Sequence, residues 1–576
     1  MRSQSLIMAP GVIQASDLRQ KRKDVGFFPA PMSASRFQVI LASLLLWSPR
    51  PASGALPERH AVVFYTTEIH GTLEPCGCTS DPLGDFARFT GVVRAAAGRG
   101  KGALVVDAGN LTYGAKENSA KKQPAAELRA EFLARELGKL PFGGSALGES
   151  DLARGANQVL PGRLAVNLDG ATFTVPSRIV ETGGIKIGVL GIVDPAVARA
   201  AGLAAREPGP AAQVEVARLR AVGAEIVILL APVDRSLARS LARSAGADFV
   251  VLGKNVGKGM TRAERAGGAF LIAPGEELER VGRLDIVLRG KAPRDPGEPL
   301  GDAGGAEQAR EHLGELDRML GRLETDLARW RKDAGSDPSF VTGKMRERDE
   351  LAAERSGLAE RSWQPPAEFS YFTSTLVPIR RTLPRDPALS ASLHKLDRAV
   401  GEANLRVAEP PTPAEPGRAF YVGGEKCVSC HKSAARSWKR TAHAHAWKTL
   451  VEVGKEAHDD CVSCHVTGYG EVGGTSLGHT RSFENVQCEV CHLPNSIHVE
   501  KRGKEAPYAG STKTPESVCV RCHNEKHSDT FKYEPYLRDA LGPGHGEDFL
   551  DKLGPGPTAR QLRRAAAAAA GLGKRR

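Results

Sequence analysis

Four short cysteine motifs place the strongest constraint on how this 576-residue chain can fold. Eight of its ten cysteines lie in the segments CVSCH (427–431), CVSCH (461–465), CEVCH (488–492) and CVRCH (519–523). In a C-x-x-C-H segment, two thiols can add to the two vinyl groups of one haem, and the adjacent histidine can bind the iron. The predicted haem-binding residues are Cys427, Cys430, His431, Cys461, Cys464, His465, Cys488, Cys491, His492, Cys519, Cys522 and His523.

Zinc ribbons and disulfides are the competing explanations of paired cysteines. A zinc site does not require a histidine directly after every cysteine pair. An exported protein oxidises most free thiols to disulfides unless another group caps them. Because all four pairs carry the histidine, the pattern favours four covalently bound haem c groups, with proximal iron ligands His431, His465, His492 and His523.

Further histidines in the same region are candidates for a second ligand on each iron. Two histidine ligands favour electron transfer because both oxidation states then keep the same coordination, whereas an open position permits substrate binding. The seven histidines that follow residue 420 outside the motifs are His443, His445, His458, His479, His498, His527 and His545.

The region from about residue 420 to 546 resembles the tetrahaem cytochrome c-554 family. The resemblance is carried by the segments YVGGEKCVSCH, SWKRTAHAHAW, CVSCHVTGYG, ENVQCEVCHLPNSIH and GPGH. It implies a mainly helical, loop-rich domain with closely stacked haems, and it implies the distal ligands His443, His498 and His545.

That family often leaves one haem five-coordinate, and the spare histidines here are His445, His479 and His527. The segment CHLPN also departs from the family, which usually has glycine at positions 493 and 495. This departure raises the question of whether the turn after the third motif keeps the family's conformation.

The N-terminal segment has the features of an export signal. Residues 37–47 (FQVILASLLLW) are mostly apolar and precede the small residues Ser53 and Ala55. Such a run is too short to span a bilayer comfortably and fits a cleaved Sec signal peptide, with an uncut signal anchor as the alternative. We therefore expect residues 1–55 to combine an extension before a true start at Met32 with a signal peptide. The mature protein is expected to be periplasmic or otherwise exported.

Short β-branched segments alternate with helical patterns across residues 57–290. The strand candidates are HAVVFYTTEIHG, GALVVDAGN, GIKIGVLGIVD, AEIVILLAPVD and ADFVVLGKN. This alternation predicts an α/β domain. The order of the strands resembles the 5'-nucleotidase type of metallophosphoesterase, including the related thiosulfohydrolases. The resemblance implies an α/β sandwich with a two-metal site at the strand ends.

The metal-binding motifs of that family are degenerate in this chain. Glu68 and His70 stand at its D-x-H motif, and Asn110 stands where the bridging aspartate belongs, with Asp107 three residues earlier. The remaining motif positions hold Glu149, Ser150, Pro232, Lys254, Asn255 and Val256. Because the bridging carboxylate holds the two cations together, its loss disfavours binuclear hydrolysis and favours a scaffold or binding role.

A weaker second metal site remains an alternative in the N-terminal domain. A single ion on Glu68, His70 and Asp107 is one version of it. Cys76 and Cys78 lie in the loop just after His70, and they offer soft-metal binding, a thiol or persulfide relay, or thiolate ligands in place of lost carboxylates. A purely structural cysteine pair is the competing interpretation.

The segments that connect and follow the domains have their own patterns. Leucines at 313, 316, 320, 323 and 327, followed by Trp330, have heptad spacing and predict a helical hairpin over 303–362, with a homo-oligomer seam as a further option. Residues 363–419 are expected to form a connector with a proline-rich linker. Residues 547–576 are expected to form a disordered tail.

Charge placement argues against nucleic-acid binding. The net charge is +12, and the lysines and arginines at the two chain ends supply nine of these charges. A nucleic-acid interface needs a basic surface on folded structure, whereas terminal basic clusters are usually solvated.

The fold class predicted is therefore multidomain: an N-terminal metallophosphoesterase-like α/β sandwich, a helical hairpin connector and a C-terminal multihaem cytochrome c domain. The favoured function is an exported electron carrier that works with redox partner proteins, without nucleic acid and without a transmembrane span after signal cleavage. The alternatives are a haem-dependent reductase of a small nitrogen or sulfur oxyanion, and a metal-dependent phosphoesterase or thiosulfohydrolase fused to a cytochrome. Among these functions the pattern favours the electron carrier, places an oxidoreductase second and disfavours a hydrolase.

Overall fold

The computed structural model describes most of the chain after residue 56. The described ranges are 57–75, 77–98, 100, 102–114, 123–155, 162–290, 293–298, 300–332, 338–359, 369–505 and 514–572. The predicted extension and signal peptide (1–55) and the candidate ligand Cys76 lie outside these ranges. Leu56–Arg576 form one compact unit.

Fourteen β-strands are found in the described part of the chain. Their bounds are β1 (Glu58–Thr66), β2 (Ala103–Asp107), β3 (Phe142–Ser145), β4 (Arg163–Leu164), β5 (Thr174–Val175), β6 (Ser177–Thr182), β7 (Ile185–Gly191), β8 (Ile226–Ala231), β9 (Phe249–Leu252), β10 (Glu264–Ala266), β11 (Ala269–Ile272), β12 (Arg280–Arg289), β13 (Gly301–Asp302) and β14 (Tyr371–Pro378). One six-stranded sheet has the order β13-β14-β12-β1-β2-β3, the other has the order β10-β11-β9-β8-β7-β6, and β4 pairs with β5.

The α-helices of the described part are distributed over both domains. Their bounds are α1 (Phe86–Ala97), α2 (Gln123–Leu137), α3 (Glu149–Leu152), α4 (Pro195–Ala200), α5 (Pro208–Ala221), α6 (Arg235–Ser244), α7 (Gly304–Trp330), α8 (Pro338–Ala359), α9 (Pro387–Arg406), α10 (Glu425–Val428), α11 (Lys432–Trp438), α12 (Ala446–Val451), α13 (Asp459–Val462), α14 (Cys488–His492), α15 (Ser496–Glu500), α16 (Glu516–Cys519), α17 (Tyr533–Ala540), α18 (Glu547–Leu553) and α19 (Ala559–Ala569).

The two large sheets pack face to face around an apolar core. Phe372 of β14 contacts Phe249 and Phe270 of the other sheet edge-on, with ring centres 4.9 Å and 4.6 Å apart. Helices α1, α2 and α9 cover the outer face of the first sheet, and α5 and α6 cover that of the second. The result is a helix–sheet–sheet–helix sandwich, which confirms the predicted α/β class.

The sandwich extends further along the chain than the sequence pattern indicated. Residues 363–419 were expected to be a connector, but they contain β14 and α9. Strand β14 pairs with β12 in antiparallel register from Tyr371 to Pro378 and lies inside the first sheet. The hairpin of α7 and α8 is therefore inserted into the α/β domain between β13 and β14. Within the hairpin, Leu316, Leu320 and Leu327 are buried, so these leucines do not form an exposed oligomer seam.

The C-terminal domain consists of short helices and loops, in line with the predicted class. The expected disordered tail is wrong for residues 547–569, because α18 and α19 form there. Thr558 caps the start of α19 through a reciprocal capping box with Gln561, a sequence signal that the alanine-rich composition obscured. In the described part of the chain, no helix combines the length and the apolar character that crossing a bilayer requires.

The α/β domain and the C-terminal domain are joined by polar contacts. Lys455 donates to Glu74 at 2.8 Å, and both side chains are largely buried. Burial disfavours the charged form of Lys455, but Glu74 and Asp397 raise its pKa overall. Other contacts join Ser80 to Asp529, Glu277 to Lys526, Asp397 to His458 and Asn404 to Ala457.

The position of β14 leads to a stability prediction. Phe372 is fully buried, and its replacement by alanine should lower the free energy of unfolding of the α/β domain by about 3–5 kcal/mol. The loss is large because the two sheets cannot move together to fill the cavity that the ring leaves. The matched control F369A removes the same ring from an exposed position and should change stability by about 0.5 kcal/mol. Urea unfolding measures both. Equal effects of the two substitutions would contradict the placement of β14 in the core.

Candidate haem centres and the polar edge of the α/β domain

Each C-x-x-C-H motif begins on a single helical turn. The backbone N–H of His431 donates to the carbonyl of Cys427 at 2.9 Å, and that of His523 donates to Cys519 at 2.8 Å. Such a turn brings the first cysteine and the histidine of a motif to the same side of the backbone. Neither the pair Cys427 and Cys430 nor the pair Cys488 and Cys491 is joined by a disulfide.

Three of the motif histidines face a second histidine from a distant part of the chain. The ring centres of His431 and His498 are 6.3 Å apart, those of His443 and His523 are 6.1 Å apart, and those of His492 and His545 are 6.0 Å apart. In each pair, the histidine that lies outside the motif (His498, His443 or His545) is one of the three that the resemblance implied as distal ligands.

The spacing of these rings fits a metal ion between them. Bonds from histidine nitrogen to a metal are about 2.0–2.1 Å long, and the ring centre lies roughly 1.1 Å behind the ligating nitrogen. Two imidazoles on opposite sides of one iron would therefore have ring centres about 6.3 Å apart. The three observed distances lie within a few tenths of an ångström of this value, so the residues present fit a haem iron at each pair.

Hydrogen bonds from Nδ1 orient several of these rings. His523 Nδ1 lies 3.2 Å from the Ser528 hydroxyl, and His498 Nδ1 lies 2.7 Å from the carbonyl of Glu505. A bond at Nδ1 holds the ring and leaves Nε2 to face a metal, which is how metal-binding histidines are generally held. Burial, followed by His443 and Arg563, lowers the pKa of His523 to about 4, so this ring is neutral as a ligand must be.

His465 of the second motif is arranged differently. Its Nδ1 lies 2.6 Å from the carbonyl of Ala446, an interaction that also leaves Nε2 available. Among the residues that the structure describes, no second histidine ring faces it at the spacing of the other three pairs. Three of the four candidate haem sites therefore have two facing histidines, and the site of His465 has one.

Of the remaining histidines of the domain, His445, His458 and His479 contact neighbouring groups, and His527 lies near Cys464 of the second motif. His445 Nε2 lies 3.1 Å from the carbonyl of Lys439, and His479 Nδ1 lies 3.2 Å from the Ser476 hydroxyl. His458 Nε2 contacts the carbonyl of Asp397 in the α/β domain, and burial lowers its pKa to about 4. His458 therefore belongs to the domain junction.

Thiols of different motifs lie side by side. Cys427 shares a hydrogen bond with Cys488, which lowers the pKa of Cys488 to about 7, and Cys464 shares one with Cys522, which lowers the pKa of Cys464 to about 6. Once the thiols are thioethers these protons are gone, but the proximity of the segments remains. The first motif is thus adjacent to the third, and the second to the fourth.

Glu489, the first variable residue of the third motif, has a structural role that the sequence pattern did not reveal. Its buried carboxylate accepts the backbone N–H groups of Val422 at 3.0 Å, Gly423 at 2.8 Å and Asn495 at 3.1 Å. Glu489 therefore ties the loop before the first motif to the turn after the third. At that turn Leu493 adopts φ 65°, a left-handed value that glycine favours.

A large cavity lies against the third and fourth motifs. Its volume is about 1610 Å³, which exceeds the roughly 300–1,000 Å³ of a pocket for one small ligand. Cys491, His492, Cys519 and His523 line it together with the facing His443 and His545. The cavity therefore offers space for two large cofactors attached through neighbouring motifs.

At the edge of the α/β domain, the residues at the degenerate metal motifs bond to the protein itself. The Glu68 carboxylate accepts the backbone N–H groups of Asn255 at 3.3 Å and Val256 at 3.2 Å. His70 Nδ1 lies 3.1 Å from the carbonyl of Tyr113. Lys254 pairs with Glu149 at 3.3 Å.

Two buried carboxylates behind this edge are also saturated. Asp107 accepts from the hydroxyls of Ser145 at 2.7 Å and Thr66 at 2.8 Å. Asp151, which the sequence interpretation did not single out, forms a buried ion pair with Arg163 at 3.2 Å and accepts four backbone N–H groups. Wherever the structure describes the chain, no group of three or more histidine, cysteine or acidic side chains is arranged to hold a metal ion. Glu68, His70 and Asp107 are thus not brought together as a ligand set.

The second candidate cysteine, Cys78, lies at the junction with the C-terminal domain. Its carbonyl accepts a hydrogen bond from Arg563 of α19 at 2.8 Å. The loop after β1 that carries Cys78 thus contacts the C-terminal helix, and Thr79 and Ser80 of this loop line the large cavity.

The C-terminal domain, with its four motifs and its facing histidines, is similar to known c-type cytochromes. Residues 426–493, which contain the first three motifs, match the family described as cytochrome c554 and c-prime. Cytochrome c-554 of Nitrosomonas europaea is 35% identical over 134 residues, which cover 18% of this chain and 57% of that protein. The chain thus spans little more than half the length of this curated relative, and the resemblance found in the sequence of this region is confirmed.

Solved structures similar to this chain include two proteins from Thermus thermophilus. The 5'-nucleotidase precursor of this organism is 20% identical, with a TM-score of 0.32, over 39% of this chain and 51% of that one. The sulfate thiohydrolase SoxB in complex with glycerol is 19% identical, with a TM-score of 0.33, over 39% of this chain and 53% of that one.

Asp107 leads to a prediction about pH. Burial raises the pKa of Asp107 to about 6, so the folded protein keeps this proton at pH values where the unfolded chain has released it. The stability contributed by the group is therefore present below about pH 4 and is lost as the pH rises to about 6. The difference in free energy of unfolding between wild type and D107N should fall by about 3 kcal/mol from pH 4 to pH 7. Urea unfolding at several pH values measures this difference. A difference that stays constant with pH would contradict the raised pKa of Asp107.

Proposed function

We propose that the protein is an exported tetrahaem c-type cytochrome that transfers single electrons between redox partner proteins. The observation that carries the proposal is the set of three facing histidine pairs, each containing the histidine of a C-x-x-C-H motif. A haem held by two histidines supplies a one-electron couple whose coordination is the same in both oxidation states. Export is supported by the apolar segment 37–47 and the small residues after it.

The chain's own residues have distinct roles in this proposal. The eight motif cysteines tether the cofactors, and His431, His465, His492 and His523 bind the irons from one side. His498, His443 and His545 bind three of the irons from the other side. The contact of Cys427 with Cys488, and that of Cys464 with Cys522, bring the attachment points close enough for electrons to pass between neighbouring cofactors.

The α/β domain is proposed to dock a partner or a small ligand without hydrolysing it. The carboxylates at its degenerate motifs already accept hydrogen bonds from backbone N–H groups and hydroxyls, so a metal ion would have to displace these contacts. The Asn110 amide likewise accepts from the Ser150 N–H at 3.0 Å. Hydrolysis of phosphate or thiosulfate esters would need a cation at this position and is therefore the least supported of the three functions.

A second function is supported by the surroundings of His465. Because no ring faces it in the described part of the chain, the iron it binds would be open on one side. An open haem can bind a small nitrogen or sulfur oxyanion, which makes a reductase activity the alternative to pure electron transfer.

The number of haems provides the first experimental test. Protein matured in an export-competent host should give four haems per chain in a pyridine haemochrome assay and in the intact mass. The fourth motif lies beyond the matched family region and therefore needs its own test. The variant C519A/C522A removes the two thiols of this motif and should carry three haems. A colourless wild-type protein, or an unchanged haem count in the variant, would refute the proposed function.

The facing histidines provide the second test. Wild type should bind one carbon monoxide per chain in the reduced state, and each of H443A, H498A and H545A should bind two, because each substitution opens one further iron. The matched control is H445A, which removes an exposed histidine that faces no motif. Titration of the Soret band measures the stoichiometry. A variant that still binds one carbon monoxide would show that its histidine is not a ligand.

A further inference from the structure

The C-terminal helix α19 presents one continuous stripe to the large cavity. Arg560, Arg563, Arg564, Ala567 and Ala568 all line it, and Gly571 continues the series just beyond the helix. These positions follow the spacing i, i+3, i+4, i+7, i+8 and i+11, which is one face of a helix. A helix that packs on a protein core buries large apolar side chains on such a face. This face instead has guanidinium groups in its first half and very small side chains in its second half.

The contacts at both ends of α19 hold this face in place. At its start, the backbone N–H of Arg560 donates to Asp539 at 2.7 Å. In its middle, Arg563 donates to the carbonyl of Cys78, and near its end Arg380 donates to the carbonyl of Ala570 at 3.3 Å. The helix is therefore attached both to the cytochrome domain and to the α/β domain, and the stripe is directed at the cavity between them.

The cavity has a strong excess of positive charge. Among the residues that the structure describes, five arginines and one carboxylate, that of Asp539, line it, which gives a formal charge of +4 with neutral histidines. In the described part of the chain, no carboxylate forms an ion pair with Arg560, Arg563 or Arg564, although each guanidinium has five N–H donors. A haem carries two propionate groups, so haems attached at the third and fourth motifs would bring four negative charges to this cavity.

We propose that Arg560, Arg563 and Arg564 bind the propionates of the haems attached at the third and fourth motifs, and that the alanine half of α19 covers the flat faces or edges of these haems. Arginine and carboxylate form charge-assisted, often bidentate hydrogen bonds, which suit this contact. Alanine and glycine let a planar group approach the helix closely. The inference rests on haem attachment at these two motifs, which is part of the proposed function.

The arrangement has a consequence for redox behaviour. A nearby positive charge stabilises the reduced, less positive state of an iron centre and so raises its reduction potential. The three arginines should therefore raise the potentials of the third and fourth haems and leave the first and second nearly unchanged. The α/β domain takes part as well, because the Cys78 loop helps to hold Arg563.

The experiment is a spectroelectrochemical titration of the haem-loaded, full-length protein. The variant R560Q/R563Q/R564Q should lower the potentials of two of the four haems. At a fixed potential, the ratio of reduced to oxidised haem should fall at least tenfold for these two, which corresponds to about 59 mV for a one-electron couple. The conservative variant R560K/R563K/R564K keeps the charge and should retain most of the wild-type potentials.

The matched control R199Q/R481Q/R502Q removes the same charge from exposed arginines that do not line the cavity. A glutamine variant that shifts the potential of no haem, or that shifts all four potentials by no more than the control variant does, would overturn the inference. If the triple variant binds less haem than wild type, R560Q and R564Q are titrated singly, and an absence of any shift in both overturns it equally. A wild-type protein without haem would instead refute the proposed function, so the two failures are distinguishable.

Discussion

The C-terminal domain depends on bringing pairs of imidazole rings from distant parts of the chain to a fixed separation. His431 must meet His498, His443 must meet His523, and His492 must meet His545, which explains why the chain folds back repeatedly through short helices and tight turns. The domain's own apolar core is small, with Leu450, Val462, Val466 and Leu477 as its buried members. A domain with so little apolar burial needs covalent or metal cross-links for stability, and tethered haems would supply both.

In the α/β domain, the buried carboxylates are satisfied by hydrogen bonds from the protein itself. Its loops carry the carboxylates Glu68, Asp107 and Asp151 at or just behind one edge of the sheets, and unpaired buried carboxylates are costly. In this chain the backbone and the neighbouring hydroxyls satisfy them, most completely at Asp151. The edge is therefore stable without cations, and the domain can serve as a scaffold that positions the Cys78 loop and α9 against the cytochrome domain.

How much of this could be predicted from the sequence differs between the two domains. The C-x-x-C-H motifs are local, so cofactor attachment could be inferred from spacing alone, and the likeness to cytochrome c-554 supplied the facing histidines. The role of β14 could not be inferred, because a long hairpin separates this strand from the sheet it completes. Glu489 was missed because its partners Val422 and Gly423 are distant in sequence. The sequence pattern predicted a tail in place of helix α19 because the helix face carries arginine and alanine and lacks large apolar residues. The cavity that this face lines gives a reason for that composition.

Near-infrared magnetic circular dichroism of the fully oxidised, haem-loaded protein would count the irons that carry two histidine ligands. We expect three haems of four to show the charge-transfer band of low-spin iron with two histidine ligands, and the haem bound by His465 to be high-spin. Four low-spin haems would mean that a further histidine completes the second site. Two or more high-spin haems would contradict the assignment of the facing histidine pairs as iron ligands.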